Sequence, residues 1–350
     1  MSTPVKIRGR VVRTGGVSFR VHDRTVVVCL ALLAAVVGIG LVTMTTGDFE
    51  LTVSDVVKSL VGQGDGASDF IVLTLRLPRL LTGILVGAAL AVSGGILQSL
   101  SGNPLASPDI IGFTQGAATG AILVIVLVDG SMVQIGAGAL VGGVATAVVV
   151  YLLAFKQGVQ GFRLILIGIG ISFIMLSLNK YLITRASLTD AIAAQAWQVG
   201  GLNGRGWEHV QVVGAAVAVL LPLALHFGRR LALMEMGDAT AKGLGVNAER
   251  TRLALIAISV GLAAVATAAA GPVSFLALAA PQLSRRLTGS AGAGLFAAGL
   301  MGALLLTAGD LAVQRLFSPA QLPVGIATGA LGGLYLIWLL AHEWRRGIAR

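Results

Sequence analysis

Chemistry in this chain has to come from few side chains. Only 11% of its 350 residues are charged, and long apolar runs separate the groups able to titrate, ligate or attack. The four histidines (His22, His209, His226, His342) are scattered near the ends of those runs, and the single cysteine, Cys29, lies inside one. That pattern contains no metal-ligand cluster, no intrachain disulfide and no nucleophile beside a base. GxxxxGK[ST], HExxH and GxSxG are all absent, so the chain has no phosphate loop of its own for ATP. Asp310 and Lys180 are the best ionisable candidates for a mid-membrane ion relay, yet each falls near the end of its run. What remains is three motifs between or at the ends of runs: Arg76-Leu-Pro-Arg79, the irregular segment Ser101–Asp109, and the polar stretch Met236–Arg250.

The elements that position these motifs are membrane spans. With 56% hydrophobic residues and a mean hydropathy of +0.90, the chain falls outside the range of soluble domains, which are about a quarter charged. About 20 apolar residues cross a bilayer. Spans are expected at 26–46, 77–100, 109–128, 132–155, 163–184, 210–228, 253–271, 272–288, 293–317 and 322–342, with Gly271-Pro272 as a tight turn between two antiparallel helices. The first run is too long for a signal-peptide core and reads as a retained helix. If the N-terminus is inside, 18 of the 25 Lys and Arg fall on the inner side, whereas Asp48, Glu50, Asp55, Asp65, Asp69, Asp129, Asp190 and Glu208 collect outside. An N-in, C-in topology follows. The net charge of +10 then reflects membrane orientation and calls for no nucleic-acid partner.

On that topology Arg76 and Arg79 lie outside, where arginine is disfavoured. Pro78 suits a first helical turn and pushes Leu77 out of the α region. The two arginines would flank a helix N-terminus at a cost of about 0.3–1 kcal/mol each. Lipid anchoring and partner docking both account for them. Ser101–Asp109 has two prolines and no positive charge, a composition suited to lining or closing an inner mouth, or to a plain turn. In the inner stretch, Asp238 is placed to cap a short helix ending at Gly243 or Gly245, and Asn247 to cap the next, which runs into the seventh span. Two short surface helices would form a shallow knob for a cytosolic partner, or an ordinary amphipathic connector. Gly112, Gly116 and Gly120, Gly325, Gly329 and Gly333, and the pair Gly83 and Gly87 are spaced for close helix packing. A faint echo between Val86–Val92 and Val260–Ala266, five spans apart, is of the kind an inverted repeat produces.

Taken together, these motifs resemble the FecCD/BtuC-type permease subunits of ABC importers for iron–siderophore complexes, haem and vitamin B12. The resemblance is carried by RLPR with VGAALAVSGGILQ (76–98), NPLASPDIIG (103–112), W..GGLNGRGW (197–207), GDATAKGLGV (237–246), GPVSFLALAAPQLSRRLTG (271–289), GD (309–310) and QLPVG (321–325). It spans about residues 26–342. The resemblance implies that Arg76 and Arg79 dock an extracytoplasmic binding protein and that Asn103 and Leu105 belong to a cytoplasmic gate. It further implies that Gly237, Asp238, Ala241, Leu244, Gly245 and Val246 couple to a separate ATPase. Gln282 stands where the family often has His, Gln321 where it often has Glu, and Gln314 where some members have a docking arginine, which leaves the role of Arg315 open.

The expectation is therefore an all-α polytopic protein: a basic cytoplasmic segment (1–25), a permease domain with inverted repeats (26–342) and a cytoplasmic tail (343–350). It would not be an enzyme. It would import ferric siderophore across the cytoplasmic membrane by alternating access, binding no cofactor or metal itself, with ATP used by its partner. The implied partners are a second FecCD-type permease (the sequence variants favour a heterodimer), two ATP-binding subunits, a siderophore-binding protein and membrane lipid. A haem or vitamin B12 permease, a proton-coupled carrier using Asp310 and a membrane scaffold are the rival readings.

Overall fold

In hydrocarbon, each backbone N–H and C=O must be paired within its own segment, so long apolar runs can only become helices. The computed structural model describes residues 10–14, 17–47, 49–109, 112–154, 161–289, 292–317 and 322–348. Asp48, Lys156, Gln321 and Ile110-Ile111, used in the charge count and motifs above, lie outside these. The helices in chain order are α1 (Asp23–Thr45), α2 (Val53–Leu60), α3 (Gly66–Asp69), a π-helical segment (Phe70–Arg76), α4 (Leu77–Ser101), α5 (Phe113–Val128) and α6 (Met132–Ala154). After them come α7 (Gly161–Arg185), α8 (Leu188–Val199), α9 (Trp207–Met234), α10 (Asp238–Gly243), α11 (Ala248–Ala270), α12 (Leu276–Thr288), α13 (Leu295–Leu316) and α14 (Val324–Ile348).

Each expected span coincides with one helix. Among the described residues seven helices are long and apolar enough to cross a membrane on their own: α1, α4 with its preceding turns, α6, α7, α9, α11 and α13. The apolar stretches of α5 and α14 are shorter, and α12 has only 13 residues. In the apolar windows of α4, α11 and α13, 61–72% of residues are buried, against 11–22% for α1, α6, α7 and α9. The first three therefore form the core, and the others turn apolar faces outward. Small residues let backbones meet. A Cβ at Gly120 would collide with the Gly138 carbonyl, joining α5 to α6, and one at Gly87 with the Gly302 carbonyl, joining α4 to α13. Where α4 crosses α11, the hydroxyls of Ser93 and Ser259 each donate to the other residue's carbonyl, at 2.8 and 3.0 Å.

The all-α class holds for the bundle, and an antiparallel hairpin of β1 (Arg10–Thr14) and β2 (Val17–Val21) precedes it in the basic N-terminal segment. Three expectations are corrected. Leu77 is helical (φ −64°, ψ −48°), and no new helix starts at Pro78. The helix runs through Gly66–Ser101, and the π-helical segment absorbs the proline, with Leu77 N–H donating to the carbonyl of Val72, five residues back. Arg76 and Arg79 thus do not sit at a helix dipole's positive end. Gly271-Pro272 is no tight turn between paired helices either. Residues 272–275 form a connector ending at Phe275 in the left-handed region (φ +63°), and α12 packs on α4 and α13, whereas α11 packs on α4, α9 and α6. Finally, the expected outer loop 185–209 contains α8 and then turns inward. Gly201 N–H donates to Ala270 O (2.7 Å), Gly325 N–H donates to Gly200 O (3.0 Å), and Leu202 is buried against Gly83.

Candidate functional site

At the outer end, α4 and α13 meet through charge. Arg79 donates from Nε and Nη2 to the two carboxylate oxygens of Asp310, both at 2.8 Å, and Gln314, one turn on, donates to Oδ2 at 2.7 Å. The side chains are only 17% and 6% exposed. A bidentate pair in a poorly solvated place is strong, and either charge left alone there would be costly. Arg76 reaches back to α1 and the segment after it, donating to the carbonyls of Met44 (2.6 Å) and Phe49 (2.5 Å). Neither arginine suggested for docking is therefore idle, and Arg79 holds the aspartate suggested as a relay. Arg315 is exposed at the end of α13.

The inner end carries the irregular segment. Ser101 ends α4, and Gly102 turns the chain in the left-handed region. Asn103 Oδ1 accepts the Leu105 N–H at 2.9 Å, so this side chain folds the turn, while Leu105 itself is exposed. The turn is clamped from two helices: the Gln282 carboxamide donates to Pro104 O and accepts from Tyr335 OH of α14 at 3.2 Å. Beside it Gln98 donates to Leu278 O at 3.0 Å. Gln282, noted in the sequence only as a departure from the family's histidine, is the residue that joins turn, α12 and α14. Its distance from Pro104 in sequence hid it.

The other polar stretch forms α10, which packs on α9 and α11. Its N-cap is Gly237, at φ +101°, and Asp238 is the first helical residue, so Asp238 does not cap the helix as expected. Instead Arg252 holds both its carboxylate oxygens at 2.7 and 2.9 Å. Asn247 caps the following helix, accepting Arg250 N–H, and that helix runs into the seventh span as expected, as α11; among the described residues α10 is then the one separate short helix of this stretch, where two were expected. The six residues implied for coupling divide by burial. Ala241 is fully buried against Met234 and Ala248, with Val246 and Leu100 partly buried beside them, which fastens α10 to the bundle. Gly237 and Gly245 (φ +82°) make the turns at either end. Leu244 is 60% exposed, and Met236, missed in the sequence, is 66% exposed beyond the other end of α10.

Among the described residues no group of three or more His, Cys, Asp or Glu is placed to hold a metal ion. The fold and its three sites define a multi-pass α-helical membrane protein of the permease kind. The family model for the FecCD transport family matches residues 30–342, and the chain belongs to that family. It is a transport protein and not an enzyme. The chain is 45% identical to the ferric enterobactin transport system permease protein FepG of Escherichia coli K12, over 93% of this chain and 99% of that protein. It is 35% identical to the probable siderophore transport system permease protein YfhA of Bacillus subtilis 168, over 90% and 94%. Among solved structures it is similar to a metal-chelate type ABC transporter in an inward-facing conformation (TM-score 0.79, 28% identity, covering 91% and 99%).

Proposed function

We propose that this chain is one permease subunit of an ATP-binding-cassette importer that carries ferric siderophore across the cytoplasmic membrane by alternating access. The observation that carries it is α10: a short helix pinned by Ala241, with Met236 and Leu244 exposed at its two ends and its buried side packed near Leu100 at the end of α4. A chain without a phosphate loop needs such a surface to receive work from an ATPase, and the likeness to siderophore permeases supplies the cargo class. Ten spans with both ends inside would put α10 and the turn at the cytoplasmic face and Arg76 and Arg79 outside. A second permease, two ATPases and a siderophore-binding protein complete the machine, and the permease pair would be a heterodimer. Docking by Arg79 would require exchange of Asp310 for an acid of the binding protein, whereas Arg315 is exposed at the end of α13. The engagement of Asp310 with Arg79 disfavours the proton-relay reading.

The test is co-purification and uptake in liposomes. Leu244→Asp with Met236→Asp should abolish ATPase association and uptake, because a charge there would be buried unpaired in the interface. Undiminished ATPase-dependent uptake by that variant overturns the proposal.

A further inference from the structure

Resting on the coupling just proposed, we propose that Arg285 is a positioning residue for transport, an ionic strut joining the ATPase-facing segment to the base of the inner turn. Arg285 lies in the last turn of α12. Its Nη2 donates to Ser99 Oγ of α4 at 2.6 Å, two residues before α4 ends. The same nitrogen stands 3.6 Å from Glu235 Oε1, and Glu235 directly follows α9, three residues before α10 begins. One guanidinium therefore spans the joint that leads into α10 and the joint that leads into the Asn103–Leu105 turn.

The bonding state of the strut distinguishes it from the other ion pairs. Arg79–Asp310 and Arg252–Asp238 engage both carboxylate oxygens at 2.7–2.9 Å and have little room to move. Arg285–Glu235 is longer, and Arg285 Nε is buried with no hydrogen-bond partner among the described residues. A buried donor left unmade is unfavourable, so the guanidinium gains by a shift that brings an acceptor onto Nε. A push on α10 that moves Glu235 would provide such a shift, and Arg285 would carry it to Ser99. The other end of the lever is well fixed. Arg24 at the start of α1 donates to Leu287 O (2.8 Å) and Arg286 O (3.2 Å), holding the C-terminus of α12, while Gln282, one turn earlier, grips Pro104. Leu100, packed against the Ala241 cluster, runs parallel to this polar route as an apolar one.

The experiment uses the complete transporter in liposomes and measures ferric-siderophore uptake per ATP hydrolysed. Glu235→Gln keeps shape and removes the charge, and Arg285→Gln removes the charge and shortens the side chain. Each should retain ATPase association and hydrolysis while uptake per ATP falls at least tenfold, with Arg285→Lys recovering part of it. A Leu105→Cys reporter in a Cys29→Ser background should lose the nucleotide dependence of its labelling in both variants. A merely structural role would lower assembly and leave uptake per ATP unchanged. If Arg285→Gln fails to assemble, Glu235→Gln alone decides. Full coupling in Glu235→Gln, with ATPase association still sensitive to Leu244→Asp, overturns the strut; association insensitive to Leu244→Asp overturns the coupling reading beneath it.

Discussion

At the residue scale, the charged groups proved to be structural before they are anything else. Removing Arg79 would leave Asp310, 6% exposed, with Gln314 as its one remaining side-chain partner among the described residues. Arg79→Ala should therefore cost about 3–5 kcal/mol, read as a fall in thermal unfolding temperature in detergent, with or without a binding protein. Arg76 is different. Its hydrogen bonds to the carbonyls of Met44 and Phe49 tie the segment before α4 to the end of α1, and Arg76→Ala should weaken binding-protein association, read in a pull-down with the purified permease. The sequence showed both arginines and Asp310 as unusual residues. It could not show that two of them meet, because 231 positions separate them. Gln282 teaches the same lesson: losing its bonds to Pro104 and Tyr335 through Gln282→Leu should loosen the inner turn, measured as faster labelling of a cysteine at 105 in a Cys29→Ser background.

At the element scale, Pro78 is the instructive residue. In the π register the carbonyl of Leu73 looks to the N–H of residue 78, which proline lacks. That carbonyl accepts instead from the indole Nε1 of Trp207 at 2.8 Å, tying the start of α9 to the outer end of α4. Trp207→Phe should thus destabilise by about 1–2 kcal/mol with little change in apolar surface, detected as faster amide exchange over 70–77. A proline at the head of an apolar run was a reasonable start signal, but it was overridden because a protein-covered wider turn satisfies the backbone without it. The glycine spacing, by contrast, was legible. Gly116 and Gly120 meet Gly138 and Gly142 as close-packing sequences do, and Gly120→Leu should prevent α5 from seating on α6 and abolish folded yield. Gly329 and Gly333 have open space around them, so spacing alone did not decide which glycines pack.

For the whole molecule, the outward apolar faces of α1, α6, α7 and α9 require lipid or a second subunit over them. The topology is open to direct measurement. In a Cys29→Ser background, a cysteine at Asp65 should react with an impermeant reagent added outside intact cells, and one at Lys242 only after the membrane is opened. Labelling in the opposite sense would reverse the charge argument.

Composition and run length alone determined that the chain is a bundle of membrane helices, because hydrocarbon admits no other way to pair backbone groups over runs this long. The motifs marked where the chain departs from its apolar helices, since exposed polar and apolar residues between spans carry a local signature. Only the tertiary structure decided which charges are already satisfied, that α8 and the chain after it turn back among the helices, and that α12 holds the inner turn. Those outcomes depend on contacts between residues a hundred or more positions apart, whose partners local pattern and spacing do not identify.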